Sequence, residues 1–310
     1  MTSSATYRIP CNHKDFSLDL TLESGQVFRW QRGSDRWWIG AIEPEGYLVR
    51  IRQTDDALQI ESANKRAVDR VRSYFRLDDP LHQYVEQWMR EGGPQIASAV
   101  ASYPGLRLIR QDPWECLISF LASPASPIYR IRRSMQKLCI ALGRPCGSLG
   151  EVGLYRFPDA EILANTPRSV FDEAGLGFRG PTMAAVAAVV CAKGGSKWVR
   201  SLRQTEYALA KAELTTLPGV GEKIADCVCL FSLDKDDAVP IDVHIARISR
   251  TLFQNIPASL TPRAYGIVAR EFRERFGAAA GWAQQYLYYS QIEKQGIWDD
   301  ELGKHRKANH

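Results

Sequence analysis

Apolar and polar positions alternate strictly over Phe16-Ser17-Leu18-Asp19-Leu20-Thr21-Leu22, a period of two that predicts one half-buried strand. Further strands are predicted at Val27 to Trp30, Trp37 to Ile42, Tyr47 to Arg52 and Leu58 to Ile60. Turn residues separate them at Gly33-Ser34-Asp35 and Glu45-Gly46, and such short connections suit an antiparallel meander. From Asn64 the period changes, with Val68, Val71, Tyr74 and Phe75 recurring at helical steps. Beyond residue 104 almost everything reads as helix, about ten helices in all. Asp112-Pro113, Thr166-Pro167 and Thr261-Pro262 each predict a capped start with proline at the first helical position. Gly143, Gly194 and Gly277 predict helix stops. The pattern is that of an α+β chain: an N-terminal antiparallel β-sheet domain with flanking helices over residues 1–108, an all-α domain over 109–300, and a polar tail over 301–310.

Composition narrows this only a little. The 310 residues suit about two domains. With 45% apolar and 24% charged residues, wholesale disorder, a collagen-like repeat and a disulfide scaffold are excluded. The net charge of +5 permits a nucleic-acid partner without demanding one, although 29 of the 40 basic residues are arginine, the side chain suited to bidentate phosphate and base contacts. A genome rich in arginine codons explains that ratio equally well. Seven widely spaced cysteines and no leading hydrophobic segment predict an intracellular, reducing compartment. Met183 to Ala192 is too short to span a bilayer and reads as a buried helix, so no membrane partner is expected.

The chemistry concentrates in Leu217-Pro218-Gly219-Val220-Gly221-Glu222-Lys223, between the helical segments Glu206 to Leu214 and Ile224 to Leu233. Two helices joined by a Gly-x-Gly turn form a helix-hairpin-helix. Gly219 and Gly221 allow positive φ and leave no Cβ in the way, so main-chain N–H groups around Val220 can reach a phosphate at the start of a helix. This grips a nucleic-acid backbone without reading sequence. Lys223 falls in the first turn of the second helix, where the dipole opposes a cation. It either touches phosphate or serves as an amine nucleophile, its neutral form favoured by the helix terminus and partial desolvation. Cys227, four residues on, shares its face and reads equally as a small buried residue. Asp242, in Val239-Pro240-Ile241-Asp242-Val243-His244-Ile245, is placed to cap the next helix. Capping leaves such a carboxylate able to stabilise positive charge developing on a sugar.

With these residues in hand, the sequence resembles the helix-hairpin-helix DNA glycosylases, and within them the eukaryotic-type 8-oxoguanine DNA glycosylases. The hairpin lysine and the Pro-x-Asp-Val-His segment carry the broader likeness. Ser24-Gly25-Gln26-Val27-Phe28-Arg29-Trp30, Arg110-Gln111-Asp112-Pro113-Trp114-Glu115-Cys116 and Gly281-Trp282-Ala283-Gln284 carry the narrower one. The resemblance implies a TBP-like N-terminal sheet before an all-α catalytic domain. It also implies excision of 8-oxoguanine from double-stranded DNA, opposite cytosine, followed by an AP-lyase step. No metal or cofactor is implied, and the protein is expected to act as a monomer. Lys223 and Asp242 would be catalytic. Cys227 and Tyr288 would sandwich the flipped base, Gln284 would bond its Watson–Crick edge, and the carbonyl of Gly25 would accept the proton that the lesion carries on N7. His244 would contact a phosphate, Phe178 would wedge into the duplex, and Arg130 and Arg179 would read the orphaned cytosine.

Two positions depart from that pattern. Ala125 stands where relatives carry an asparagine opposite the lesion, which relaxes the expected preference for cytosine. Tyr288 replaces a usual phenylalanine, adding a hydroxyl that needs a polar partner. Other readings are weaker. An iron–sulfur glycosylase would need ligands where Leu149 and Tyr155 stand after Cys139 and Cys146. An alkylbase glycosylase would dispense with Lys223, and a non-catalytic hairpin module would need neither Lys223 nor Asp242.

Overall fold

The computed structural model describes residues 5–149 and 152–294, so the expected tail over 301–310 lies outside the described residues. The chain begins with β1 (Ala5–Pro10), α1 (Leu18–Glu23), β2 (Gln31–Arg32), β3 (Trp38–Ile42), β4 (Tyr47–Gln53) and β5 (Ala57–Ser62). These strands form one antiparallel sheet in the order β1-β5-β4-β3-β2. Trp38 pairs with Ile51 and Ile51 with Ile60, so alternate positions stack on one face and are almost fully buried.

Helices α2 (Arg66–Tyr74), α3 (Leu81–Glu91) and α4 (Pro94–Ser102) follow. Then come α5 (Pro113–Leu121), α6 (Ile128–Leu142), a hairpin of β6 (Pro145–Leu149) and β7 (Val152–Tyr155), and α7 (Ala160–Ala164), α8 (Arg168–Glu173), α9 (Arg179–Ala192) and α10 (Ser196–Ser201). The last described elements are α11 (Tyr207–Thr215), α12 (Glu222–Ser232), α13 (Val243–Leu252), α14 (Pro262–Phe276) and α15 (Ala280–Lys294). None of the described helices is long and apolar enough to cross a membrane.

Four sequence expectations need correction. The alternating segment at Phe16 to Leu22 is the helix α1 rather than a strand: Leu18 and Leu22 are also four residues apart, and both are buried. Tertiary partners hold its entry, with the Ser17 N–H donating to the Gly105 carbonyl at 2.7 Å and the Leu18 N–H to Gln53 at 2.8 Å. Val27 to Trp30 is a buried loop, and only Gln31 and Arg32 pair with β3. The region beyond residue 104 is not purely helical, because β6 and β7 pair with an irregularity between Pro145 and Gly147 that hides any alternation. Thr166 does not cap α8; its hydroxyl donates back to Ile162 at the end of α7, and Pro167 occupies the cap. Asp112 and Thr261 do cap their helices, accepting from Glu115 and Ala264.

The two regions share one continuous core. Trp88 of α3 packs edge-on to Tyr286 of α15, and Tyr84 lies against Trp282. Arg29, from the loop after α1, reaches Glu115 of α5 at 2.7 Å. The sheet region thereby fixes the loop at Ser24 and Gly25 against the helices that carry the hairpin.

Candidate active site

The hairpin forms as its residues dictate. Leu217 and Val220 are buried and anchor the turn between α11 and α12. Gly219 has φ +72°, and a Cβ there would stand 2.6 Å from Cγ2 of Thr182 on α9. Gly221 differs from expectation. Its φ is −89°, so no left-handed conformation requires glycine, but nothing lies within 4 Å of where its Cβ would be. What glycine provides there is open space before the first turn of α12, whose start has no side-chain cap.

Lys223 projects from that first turn. Its ammonium is 3.3 Å from the hydroxyl of Ser123 and 5.4 Å from the ring centre of Phe120, both at the C-terminal end of α5. Burial pushes the Cys227 thiol, one turn on, up to about 12, while the nearby Lys223 charge pulls the other way. Asp242 is the N-cap of α13: its Oδ1 accepts from the N–H groups of His244 and Ile245, both at 2.9 Å. Among the described residues no hydrogen bond or ion pair is made by its Oδ2. Cys227 lies within electrostatic reach of both Lys223 and Asp242.

Tyr288 of α15 closes the other side. Burial raises its phenol far above the usual range, with Asp242 and Cys227 adding to the effect. Its ring stands edge-on to His244, with centroids 6.3 Å apart. Gly25 has φ +78°, and a Cβ there would be 3.6 Å from Cε1 and 3.7 Å from the hydroxyl of Tyr288. The hydroxyl thus lies beside Gly25, with no hydrogen bond to it among the described residues. Gln285 holds the Gly25 loop by donating to the Ser24 carbonyl at 2.9 Å, and Gln26 ties it to Arg107 and Ile109. Gln284, one turn before Tyr288, is buried, and its Oε1 has no hydrogen-bond partner among the described residues. The same holds for Nδ1 of His244. Two buried polar atoms without partners are costly unless something arrives to bond them.

The structure therefore brings Lys223, Cys227, Asp242, His244, Tyr288 and Gly25 to one place, with Gln284 on the same helix as Tyr288. Phe178, Arg179 and Arg130 form a second group. Phe178 is 69% exposed at the start of α9, with the Arg179 guanidinium 4.4 Å over its ring. Burial and the neighbouring Arg130 charge both lower the pKa of Arg179. Sequence reasoning assigned no role to Ser123 or Phe120. Ser123 was visible only as part of the segment bearing Ala125, and no pattern marks a partner 100 residues from its lysine.

Comparison with known proteins bears on the family and the fold. A sequence profile described as 8-oxoguanine DNA glycosylase, N-terminal domain, matches residues 8–117. The chain is 33% identical to the Arabidopsis thaliana N-glycosylase/DNA lyase OGG1, over 93% of this chain and 81% of that one. The MBOgg1 structure with a low-affinity DNA ligand superposes with a TM-score of 0.83 at 29% identity, covering 94% of this chain and 96% of that one. The Clostridium acetobutylicum 8-oxoguanine glycosylase/lyase, bound to double-stranded DNA with cytosine opposite 8-oxoG, gives a TM-score of 0.81 at 26% identity, covering 91% and 93%. Likeness in sequence over nearly the whole length and in fold gives one conclusion: the chain belongs to the 8-oxoguanine DNA glycosylase family of N-glycosylase/DNA lyases.

Proposed function

We propose that the protein is a bifunctional DNA glycosylase and AP lyase that removes 8-oxoguanine from double-stranded DNA in base excision repair. It acts wherever the cell keeps its DNA. The observation that carries this reading is the Lys223 amine, set in the uncapped first turn of α12 beside Cys227. Main-chain N–H groups from Gly219 to Gly221 hold a phosphate there, assisted by His244. The damaged base leaves the stack and slides between Cys227 and Tyr288, at a cost of roughly a few kcal/mol. The partnerless Oε1 of Gln284 bonds its Watson–Crick edge. The Gly25 carbonyl accepts the lesion's N7 proton, where guanine offers an acceptor and is repelled. Phe178 fills the gap in the duplex, and Arg130 and Arg179 meet the orphaned cytosine.

The neutral amine of Lys223 then forms a bond to C1′ as the bond from C1′ to N9 breaks, and the base leaves with the electron pair and takes up a proton. Asp242, its position fixed by α13, offsets the positive charge that develops on the sugar. Opening of the sugar ring gives a Schiff base, loss of a C2′ proton expels the 3′ phosphate, and hydrolysis frees the lysine. Borohydride trapping tests this: the wild type should form a covalent adduct with 8-oxoguanine duplex, and Lys223→Gln should form none. Binding without an adduct from the wild type would reduce the protein to a DNA-binding module.

A further inference from the structure

Behind the reacting residues lies a buried polar cluster that the chemistry above does not use. Asp226 is fully buried on α12, one turn after Lys223. Its Oδ1 accepts from the hydroxyl of Tyr207 at 2.6 Å, and its Oδ2 accepts from Lys211 at 2.9 Å and from the hydroxyl of Tyr265 at 2.6 Å. The Tyr265 hydroxyl has one proton. Donating it to Asp226 at 2.6 Å leaves the oxygen free to accept from the Ile241 N–H at 3.2 Å, the main-chain group next to Asp242. The Val239 carbonyl also lies 3.2 Å from that hydroxyl. One carboxylate therefore joins α11, α12, α14 and the segment that enters α13.

A buried ionised cluster is weak evidence for stability, because well-packed apolar residues often do as well or better. What charged hydrogen bonds supply is direction. Here the direction runs between the helix that carries Lys223 and the residue adjacent to Asp242. No ion pair within 4 Å joins Lys223 to Asp242 themselves, so their separation is set by what lies behind them. Asp242 is fixed from its own helix by two N–H groups, which orient the carboxylate but do not locate α13 relative to α12.

We propose that Asp226 and Tyr265 are positioning residues, a tether that sets the distance between the Lys223 amine and the Asp242 carboxylate. Lys211 and Tyr207 hold the carboxylate in register by hydrogen bonds and oppose the burial that raises its pKa. The side chains of Asp226 and Tyr265 are both buried. The inference rests on Lys223 and Asp242 being the reacting pair, which the trapping experiment tests separately.

Tyr265→Phe is the direct test, because it removes one hydroxyl and keeps the buried ring. Single-turnover excision from an 8-oxoguanine·cytosine duplex should slow by about tenfold to a hundredfold, the range expected for a small misplacement of reacting groups. The dissociation constant for the same duplex should stay within about twofold. In an Asp242→Asn background the further loss from Tyr265→Phe should shrink below about threefold, since the tether then holds nothing reactive. Excision within twofold of wild type would overturn the proposal, and so would an equal loss in both backgrounds, as a merely structural role predicts. Should Tyr265→Phe fail to fold, Asp226→Asn reads the same tether from its other end with the same pair of outcomes. A wild type that forms the adduct while Tyr265→Phe stays fully active sinks the tether and leaves the proposed reaction standing.

Discussion

Arg179 is turned onto the main chain of Pro124: its Nε lies 3.1 Å from the Pro124 carbonyl, and Nη2 donates to the same oxygen. The arginine proposed to read the orphaned base is therefore coupled to the Ser123-Pro124-Ala125-Ser126-Pro127 loop. That loop also presents the Ser123 hydroxyl to Lys223. The two strands of the duplex would meet protein groups held by one short segment.

Within that loop Ala125 has φ +51°, a left-handed conformation that an alanine adopts at a cost of roughly 1 kcal/mol. Asparagine enters this region far more readily. Ala125→Asn should therefore be neutral or stabilising by about 0.5–1 kcal/mol in thermal unfolding. Its amide would also extend toward the orphaned base. Single-turnover excision opposite each of the four bases should show the preference for cytosine sharpen, by about tenfold for one good hydrogen bond of discrimination. An unchanged ratio would detach Ala125 from opposite-base selection.

Phe178 has 69% of its surface in water and the Arg179 guanidinium over its ring, so the fold gains little from it. Phe178→Ala should leave the unfolding midpoint nearly unchanged, within about 0.5 kcal/mol. Excision from duplex should slow by roughly tenfold to a hundredfold, because the wedge no longer offsets the lost stacking of a few kcal/mol. Cleavage of a single-stranded 8-oxoguanine oligonucleotide needs no wedge and should be unaffected. Equal losses on both substrates would place Phe178 elsewhere in the mechanism.

Gly25 is constrained from both sides. Its φ of +78° strains any residue with a Cβ, and that Cβ would stand 3.1 Å from Cδ1 of Ile128. Gln285 on Ser24 and Gln26 on Arg107 leave the loop little room to relax. Gly25→Ala should cost about 1–2 kcal/mol of stability. A shifted carbonyl should also lower 8-oxoguanine excision about tenfold or more, the loss of one buried hydrogen bond. Affinity for a duplex with a preformed abasic site, which presents no base to the carbonyl, should be retained.

The hairpin, its lysine and the Asp242 cap were legible in the sequence because local chemistry decides them. Glycine at Gly219 meets a real conformational need, and Asp242 precedes an amphipathic helix. Strands β4 and β5 were legible for the same reason, since their burial largely alternates, and β3 was legible as a short apolar run, buried at four of its five positions. Phe16 to Leu22 misled because a period of two and a step of four coincide at Leu18 and Leu22, and the tie was broken by Gln53 and Gly105, distant in sequence. The β6–β7 hairpin was hidden by its own irregularity. Ser123, Asp226 and Tyr265 escaped notice because their partners lie far along the chain or in another helix, which no local pattern encodes.

The junction between the sheet and α5 should respond to pH. Arg29 lies 2.7 Å from Glu115 and 3.6 Å from Glu43, with all three side chains buried, so two carboxylates share one guanidinium. Burial pushes Glu115 up to about 7, with Arg29 opposing the shift and Glu43 reinforcing it. The ordinary value is 4.5, so the folded state binds the proton more tightly than the unfolded chain. The stabilising contribution of protonated Glu115 is complete below the ordinary value and is lost as pH rises through about 7. At full extent the loss is on the order of 3 kcal/mol. Glu115→Gln mimics the neutral acid and removes this dependence. Between about pH 5 and about pH 8 the wild-type unfolding midpoint should fall relative to that of the variant. Parallel curves for the two proteins would mean that Glu115 stays ionised beside Arg29 throughout this range.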